Sequence, residues 1–417
     1  MMNETPRLAI LHAASRQDRT VRLYGLTVLE RTLHALHRSG VGTVWVHPDA
    51  LAAAEELIRR ESMSMTCRAV GPDLPADLRS HPGHLVLLPV PVLLDPAVLS
   101  DAFRSADQAG KDAPLQIAPN AELTLVPTGR KNDLPDILSW PGGRQTEADA
   151  TENRLATWPA VELNPAGRLL MAVPTEADLD PAREALVRSL TKPTDGWVSR
   201  HLNRPLSTRI SRLLAHTSVT PNQFTLLTGL VGLATGVFAA QGGYWNFLAA
   251  GTLFHLTSVL DGVDGELARL KFKYSPKGQW LDTVVDNLSY VAALMGILVG
   301  IFRTGVTLPV KVAGILALVF VVAALGSLYL YLLRFKSGGT LLNVKYGFQE
   351  GNSRFDRTMQ VLAAFGKRDL FALLFFLLGV AGQLPMALGY VAVMAAFVFG
   401  FSIQAHRLAA KAAKRNA

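Results

Sequence analysis

Apolar and polar positions follow two different rhythms along the chain. Up to about residue 190, short apolar runs alternate with amphipathic stretches: "RLAILHAAS", "VLERTLHALHRSG", "VGTVWVHP", a helical "LAAAEELIRRE", and later "GHLVLLPVPVLLD". Strand, helix, strand, helix in that order predicts an α/β domain with a mainly parallel sheet. From Pro221 this alternation gives way to long apolar runs. Residues 221–260 contain no Asp, Glu, Lys or Arg and break at Gly242-Gly243, so each part approaches the roughly 20 residues a helix needs to cross a bilayer. Four further runs, at about 281–302, 312–333, 369–383 and 387–405, meet the same criterion. The pattern predicts an all-α, six-helix transmembrane domain fused behind the α/β domain.

Between the halves, "DGWVSRHLNRPLSTRISRLLAHTSVTPN" alternates basic and apolar residues at helical spacing. It reads as an amphipathic helix lying on a membrane surface before Pro221 opens the first span. The expected organisation is therefore a cytosolic α/β domain over 1–190, an interfacial linker over 191–220, a membrane domain over 221–408 and a basic tail over 409–417. Composition agrees with an integral membrane portion. Hydrophobic residues make up 49% of the 417 positions and charged residues only 18%, with a mean hydropathy of +0.24.

The formal charge is +8, which by itself admits nucleic acid or an anionic lipid surface as partner. Placement decides between them. Basic residues collect before the first span (Arg200, Arg204, Arg209, Arg212), after the second (Arg269, Lys271, Lys273, Lys277), after the fourth (Arg334, Lys336, Arg354, Arg357, Arg368 among them) and after the sixth (Arg407, Lys411, Lys414, Arg415). The other connections carry only Arg303 and Lys311. Six spans with both ends cytoplasmic satisfy the positive-inside rule, and the charge then needs no nucleic acid. The expectation is a multi-pass protein of the cell inner membrane with its termini and active site on the cytoplasmic side. The single cysteine, Cys67, excludes an intrachain disulfide and a cysteine-based metal cluster. "LAILHAA" is too short, and too soon followed by Arg16, Asp18 and Arg19, to read as a secretory signal.

Candidate chemistry lies in "DGVDGELARLKFKYSPKGQWLDTVVD", from Asp261 to Asp286. Asp261, Asp264, Gly265 and Ala268 are spaced by three, four and seven from the first, so they share one stripe of the second membrane helix. Gly278, Asp282 and Asp286 are spaced by four and share a stripe of the third. Two carboxylates from each helix can converge. Either pair alone would read as well as helix caps or interfacial charge. Together, four carboxylates at a membrane surface would repel and lose hydration unless something positive pairs them. Mg²⁺ or Mn²⁺ suits carboxylate oxygens and has positions left for phosphate. Gly265, Ala268 and Gly278 leave room for a ligand against the backbone, and Arg269 can take phosphate through its planar fork.

The order Asp261, Asp264-Gly265, Ala268-Arg269, Gly278, Asp282, Asp286 resembles the signature of the CDP-alcohol phosphotransferase family, and "NRPLSTRISRLLAHTSVTPNQFT" is similar to the approach to that family's first membrane helix. The resemblance covers about residues 195–410. It implies a six-helix membrane enzyme that cleaves the pyrophosphate of a CDP-linked alcohol, passes the phosphoalcohol to an acceptor hydroxyl and releases CMP. It further implies that Asp261, Asp264 and Asp282 hold two Mg²⁺ or Mn²⁺ ions, that Asp286, counted beside them in the metal set, is the general base, and that Gly265, Ala268, Arg269 and Gly278 line the CDP site. A lipid or polyol-phosphate acceptor, membrane lipids and a second copy in a homodimer are the expected partners.

"RLYGLTVLERTLHALHRSGVGTVWV" resembles the early helix and second strand of sugar-phosphate nucleotidyltransferases, and "LVRSLTKPTDGWVSRHLNRPLS" is similar to the junction in fused enzymes that couple an inositol-phosphate cytidylyltransferase to a phosphotransferase making di-inositol phosphate. Those transferases open with a glycine-rich loop, where this chain has "AASRQDR". They carry a metal-binding Asp where this chain has Pro91, with Asp95 four residues on. The domain reads as a degenerate nucleotidyltransferase, the alternative being an active one that uses other residues. The donor therefore stays open between CDP-diacylglycerol, CDP-inositol and other CDP-alcohols.

His12, His34 and His37 lack zinc-ligand spacing and read as ordinary residues, the last two on the surface of an amphipathic helix. The basic segment 337–369 either covers the acceptor pocket, with Lys345, Arg354 or Arg357 binding a phosphate, or anchors the chain to the inner leaflet. The rival function is a catalytically inactive scaffold whose cytosolic domain binds a nucleotide or a protein. The complete carboxylate set weighs against it. Placement of the carboxylates at the helix ends, without internal repeats, weighs against a transporter.

Overall fold

The computed structural model describes residues 7–11, 22–70, 83–88, 92–109, 115–117, 123–126, 160–163, 165, 167–173, 176–192, 195–335, 341, 344, 346 and 353–415. The chain divides into two compact units, Met1–Ser189 and Leu190–Ala417.

Among the described residues, the first unit is built on a seven-stranded sheet. Its strands are β1 (Arg7–Leu11), β4 (Thr43–Val46), β5 (Thr66–Ala69), β6 (His84–Leu88), β8 (Leu115–Ile117), β9 (Thr124–Val126) and β10 (Ala160–Glu162), in the order β10-β8-β9-β6-β1-β4-β5. The neighbours β1 and β4, β1 and β6, β4 and β5, and β8 and β10 run parallel, and β9 is antiparallel to β6 and β8. The expected mainly parallel α/β arrangement is what the chain adopts. Two short ribbons complete it, β2 (Arg22–Leu23) with β3 (Leu26–Thr27), and β7 (Val92–Leu94) with β11 (Leu170–Ala172). The run "GHLVLLPVPVLLD" thus serves two sheets, β6 in the large one and β7 in the small one.

Helices α1 (Val28–Arg38), α2 (Pro48–Arg60), α3 (Pro96–Ala109) and α4 (Leu179–Arg188) accompany these strands. Thr27 and Glu30 close a reciprocal capping box at the start of α1, each side chain accepting from the other's backbone N–H. Leu33 and Leu36 of α1, Leu57 of α2 and Phe103 of α3 share the core with Leu11, Val44 and Val86 of the strands. One expectation is corrected here. His34 is buried, 7% exposed, because α1 packs on more than its leucine face, and burial pushes its imidazole down to about 4. Cys67 on β5 is half-buried, and burial first, then Glu55, pushes its thiol up to about 12, so it is a poor nucleophile. His12, the loop "AASRQDR" and Pro91 lie outside the described residues.

The second unit is helical. A π-helical turn at Ser199–Asn203 runs into α5 (Arg204–Ala215), followed by α6 (Pro221–Gln241), α7 (Tyr244–Leu270), α8 (Pro276–Arg303), α9 (Leu308–Phe335), α10 (Arg354–Phe365), α11 (Arg368–Val380) and α12 (Ala387–Arg415). The break between α6 and α7 falls on Gly242 and Gly243, both in the left-handed region with φ of 70° and 80°. Among the described residues, four segments are long and apolar enough to cross a membrane: α6, α8, α9 and Leu384–Lys411. This is a membrane protein. The count of six is not reached by that criterion: α7 carries Asp261, Asp264, Glu266 and Arg269 toward its C-terminal end, and α11 has only 13 residues, about 20 Å of helix.

Helix α6 is the spine of this unit. It packs along both α7 and α8, which themselves touch only slightly. Small residues make this close approach feasible. A Cβ added at Gly236 would lie 2.5 Å from the Ala292 carbonyl oxygen of α8, and one added at Gly296 would collide with the Gly236 backbone. On the other flank, Gly251 of α7 backs onto the Phe375 carbonyl of α11, with a Cβ only 2.7 Å away. We expect Gly236→Leu to pry α6 from α8 and destabilise the unit by about 1–3 kcal/mol, read as earlier thermal unfolding in detergent. Gly326→Ala is the contrast, since nothing lies within 4 Å of a Cβ there, and it should leave the melt unchanged or raise it slightly.

Candidate active site

The carboxylates converge as their spacing on two helices predicts. Asp261, Asp264 and Asp282 each present an oxygen within 4.8 Å of the others. Asp264 is buried and accepts hydrogen bonds from the Thr225 hydroxyl of α6 and from the Gly265 backbone N–H, both at 2.5 Å. Thr225 thus orients the carboxylate from the spine helix. Asp282 Oδ1 is buried with no hydrogen-bond partner among the described residues. An orphaned carboxylate oxygen beside two further carboxylates is an arrangement that a hard divalent cation would complete. The residues present therefore fit a metal.

Asp286, one turn beyond Asp282 on α8, is held differently. Arg368, the first residue of α11, places Nη1 at 2.6 Å from Asp286 Oδ2 and at 2.6 Å from Asp261 Oδ1. The same guanidinium stacks over the Tyr290 ring at 5.1 Å. This arginine was missed in the sequence, where it counted only as one basic residue of a flank. Its signal was available: a charge at the head of a strongly apolar helix usually has a specific partner.

The residues expected around a nucleotide lie next to the carboxylates on the same two helices. Gly265 faces Arg269, whose Nη1 would be 3.8 Å from an added Cβ. Arg269 Nη2 donates to the Leu190 carbonyl at 2.9 Å, while its Nε is buried without a hydrogen-bond partner among the described residues. Ala268 is buried. Gly278 lies in the first turn of α8, its N–H donating to the capping Ser275 hydroxyl at 2.9 Å, and an added Cβ would meet Asn222 of α6 at 3.0 Å. Of the three residues considered for an acceptor, Arg354 and Arg357 stand exposed on α10, and Lys345 lies outside the described residues.

A second network fixes the metal-facing helix from behind. Glu266 of α7 is completely buried. It accepts from Arg204 Nη1 at 2.6 Å, from Ser207 at 2.7 Å and from Ser211 at 2.6 Å, all from the segment preceding the first span. Arg204 also forks Asp195 at 2.8 and 3.0 Å. Gly262, next to Asp261, lets α5 in so close that an added Cβ would sit 3.2 Å from Arg204 Nη1 and from the Ser207 hydroxyl. The face of α5 turned to the bundle is therefore polar and small, with Leu206 and Leu213 pointing outward. The sequence shows this segment as an alternation of basic and apolar residues on an interfacial helix, and nothing in that pattern marks Glu266.

Comparison with known proteins bears on the helical unit. Residues 218–409 match the CDP-alcohol phosphatidyltransferase family. A bifunctional IPC transferase and DIPP synthase from Thermococcus kodakarensis is 44% identical over 116 residues, 28% of this chain and 26% of that protein. Its counterpart from Aquifex aeolicus is 40% identical over 132 residues, 31% and 30% of the two chains. An archaetidylinositol phosphate synthase from Pyrococcus horikoshii is 39% identical over 100 residues, 24% of this chain and 50% of that protein. The similarity thus spans between about a quarter and a half of these relatives' length.

Proposed function

We propose that the helical unit is a transferase that moves a phosphoalcohol from a CDP-alcohol to an acceptor hydroxyl and releases CMP. The observation that carries this reading is the convergence of Asp261, Asp264 and Asp282 within 4.8 Å, with an orphaned oxygen on Asp282, inside the segment that matches the family. In this reading Asp261, Asp264 and Asp282 hold two divalent ions, Mg²⁺ or Mn²⁺, with Asp286 at the edge of the set. Such ions, when bound, neutralise a pyrophosphate and the charge developing on the departing nucleotide. Asp286 takes the proton of the acceptor hydroxyl. Gly265, Ala268 and Gly278 give the nucleotide room, and Arg269, positioned by the Leu190 carbonyl, turns its unpartnered Nε toward phosphate.

The relatives' names supply the substrate class. Two concern IPC and DIPP and one archaetidylinositol phosphate, so the acceptor or donor carries a phosphorylated inositol or a similar polyol, and the other partner is CDP-diacylglycerol-like or CDP-inositol-like. Arg354, Arg357 and Lys345 are the basic residues on hand for an acceptor phosphate. The site faces the cytoplasm of a multi-pass inner-membrane protein that works as a homodimer, and the first unit is a nucleotidyltransferase-like domain that no longer makes the donor.

Purified full-length protein in detergent, given CDP-diacylglycerol or CDP-inositol with inositol phosphate and Mg²⁺ or Mn²⁺, is expected to release CMP from one donor and to stop when EDTA is added. Absence of CMP with both donors and both metals would sink the reading.

A further inference from the structure

Arg368 is bonded in an unusual way for a structural arginine. One nitrogen, Nη1, serves both Asp261 and Asp286 at 2.6 Å, and these two carboxylates come from different helices. The remaining donors are poorly used: Nη2 reaches the Thr257 carbonyl only at 3.5 Å, and Nε is buried with no hydrogen-bond partner among the described residues. A guanidinium fixed for good normally uses its fork. Its backbone position is unfavourable as well, since Arg368 opens α11, where the helix dipole disfavours a cation. What holds it is the negative charge of two aspartates and the face of Tyr290.

Asp261 belongs to two sets at once. It is one of the three carboxylates that meet within 4.8 Å, and it is also half of the arginine's ion pair. Four carboxylates and one guanidinium sum to three negative charges. One divalent cation leaves a single negative charge, so Arg368 can stay. A second would make the cluster positive, with a divalent ion and a guanidinium forced onto the same oxygens.

Building on the metal-holding role proposed for these aspartates, we propose that Arg368 is a resident counter-cation. It ties Asp261 to Asp286 in the metal-free protein and gives up both carboxylates when the site takes its full complement of divalent ions. Arg368 thereby keeps Asp286 engaged until the site is loaded, and it offsets the mutual repulsion that would otherwise drive the carboxylates apart. It is a positioning residue, acting through Asp261 and Asp286.

The test uses full-length protein in detergent, without nucleotide, titrated with Mn²⁺ while free Mn²⁺ is followed by paramagnetic resonance. Arg368→Gln should bind Mn²⁺ about tenfold more tightly, in the range typical of coupled sites, and Arg368→Lys less so. Unchanged or weaker binding overturns the proposal. Removing a charge would tighten binding even without displacement, so a second readout on the unaltered protein decides, and it also serves if Arg368→Gln does not fold. Phenylglyoxal labelling of Arg368, quantified by mass spectrometry, should rise as Mn²⁺ is added. Labelling that stays level or falls while Mn²⁺ binds overturns this inference alone. A protein that binds no Mn²⁺ overturns the metal-holding role as well.

Discussion

Asp286→Asn is expected to lose CMP release by about 10²- to 10⁴-fold, the range a positioned general base contributes, while still binding Mn²⁺. The geometry supports so clean a separation. An asparagine at 286 keeps an amide oxygen where Asp286 Oδ2 accepts from Arg368 at 2.6 Å, so the helices stay in place and only the proton acceptor is lost. Asp282→Asn should behave differently. Its Oδ1 is the buried oxygen with no partner, so the substitution removes a metal oxygen and should weaken Mn²⁺ binding together with turnover. Measuring CMP release and Mn²⁺ binding on both variants separates the roles. If Asp286→Asn loses metal as completely as Asp282→Asn does, Asp286 is a ligand and the base lies elsewhere. If it turns over normally, the assignment is wrong.

Glu266→Ala is expected to destabilise the helical unit by about 3–5 kcal/mol, the cost typical of breaking a buried ion pair from one side. The substitution leaves the Ser207 and Ser211 hydroxyls and one arm of Arg204 facing an apolar gap, while Asp195 still holds the other arms. Glu266→Gln keeps an acceptor and a donor for that cluster and should recover most of the loss. Thermal unfolding in detergent checks the order wild type, Gln, Ala. Because Glu266 lies two residues past Asp264 on the opposite side of α7, the alanine variant should also reduce Mn²⁺ affinity by letting α7 turn. An alanine variant as stable as the wild type would show that the α5 clamp is dispensable.

Much of this was legible in the chain because helices and strands convert spacing into direction. Intervals of three and four place Asp261 with Asp264, and Asp282 with Asp286, on single faces whatever the surroundings. The α/β alternation of the first unit follows from the same logic at shorter period. Other features depend on partners far along the chain. Arg368 is 82 residues from Asp286, and no local pattern links them. Glu266 sits inside the motif but off its stripe, and its partners precede the first span. The division of "GHLVLLPVPVLLD" between two sheets arises from β11, some 80 residues on. His34 looked superficial because one helix face was apolar, but α1 is enclosed on more than that face.

The glycine and threonine side of α6 holds the site and the α8 contact: Thr225 on Asp264, and Gly229, Gly232 and Gly236 against α8. Its opposite side, with Leu226, Leu227, Leu230 and Val237, is exposed, as suits a helix face turned to lipid. That outward row is therefore free to change with the thickness and chain branching of the host bilayer.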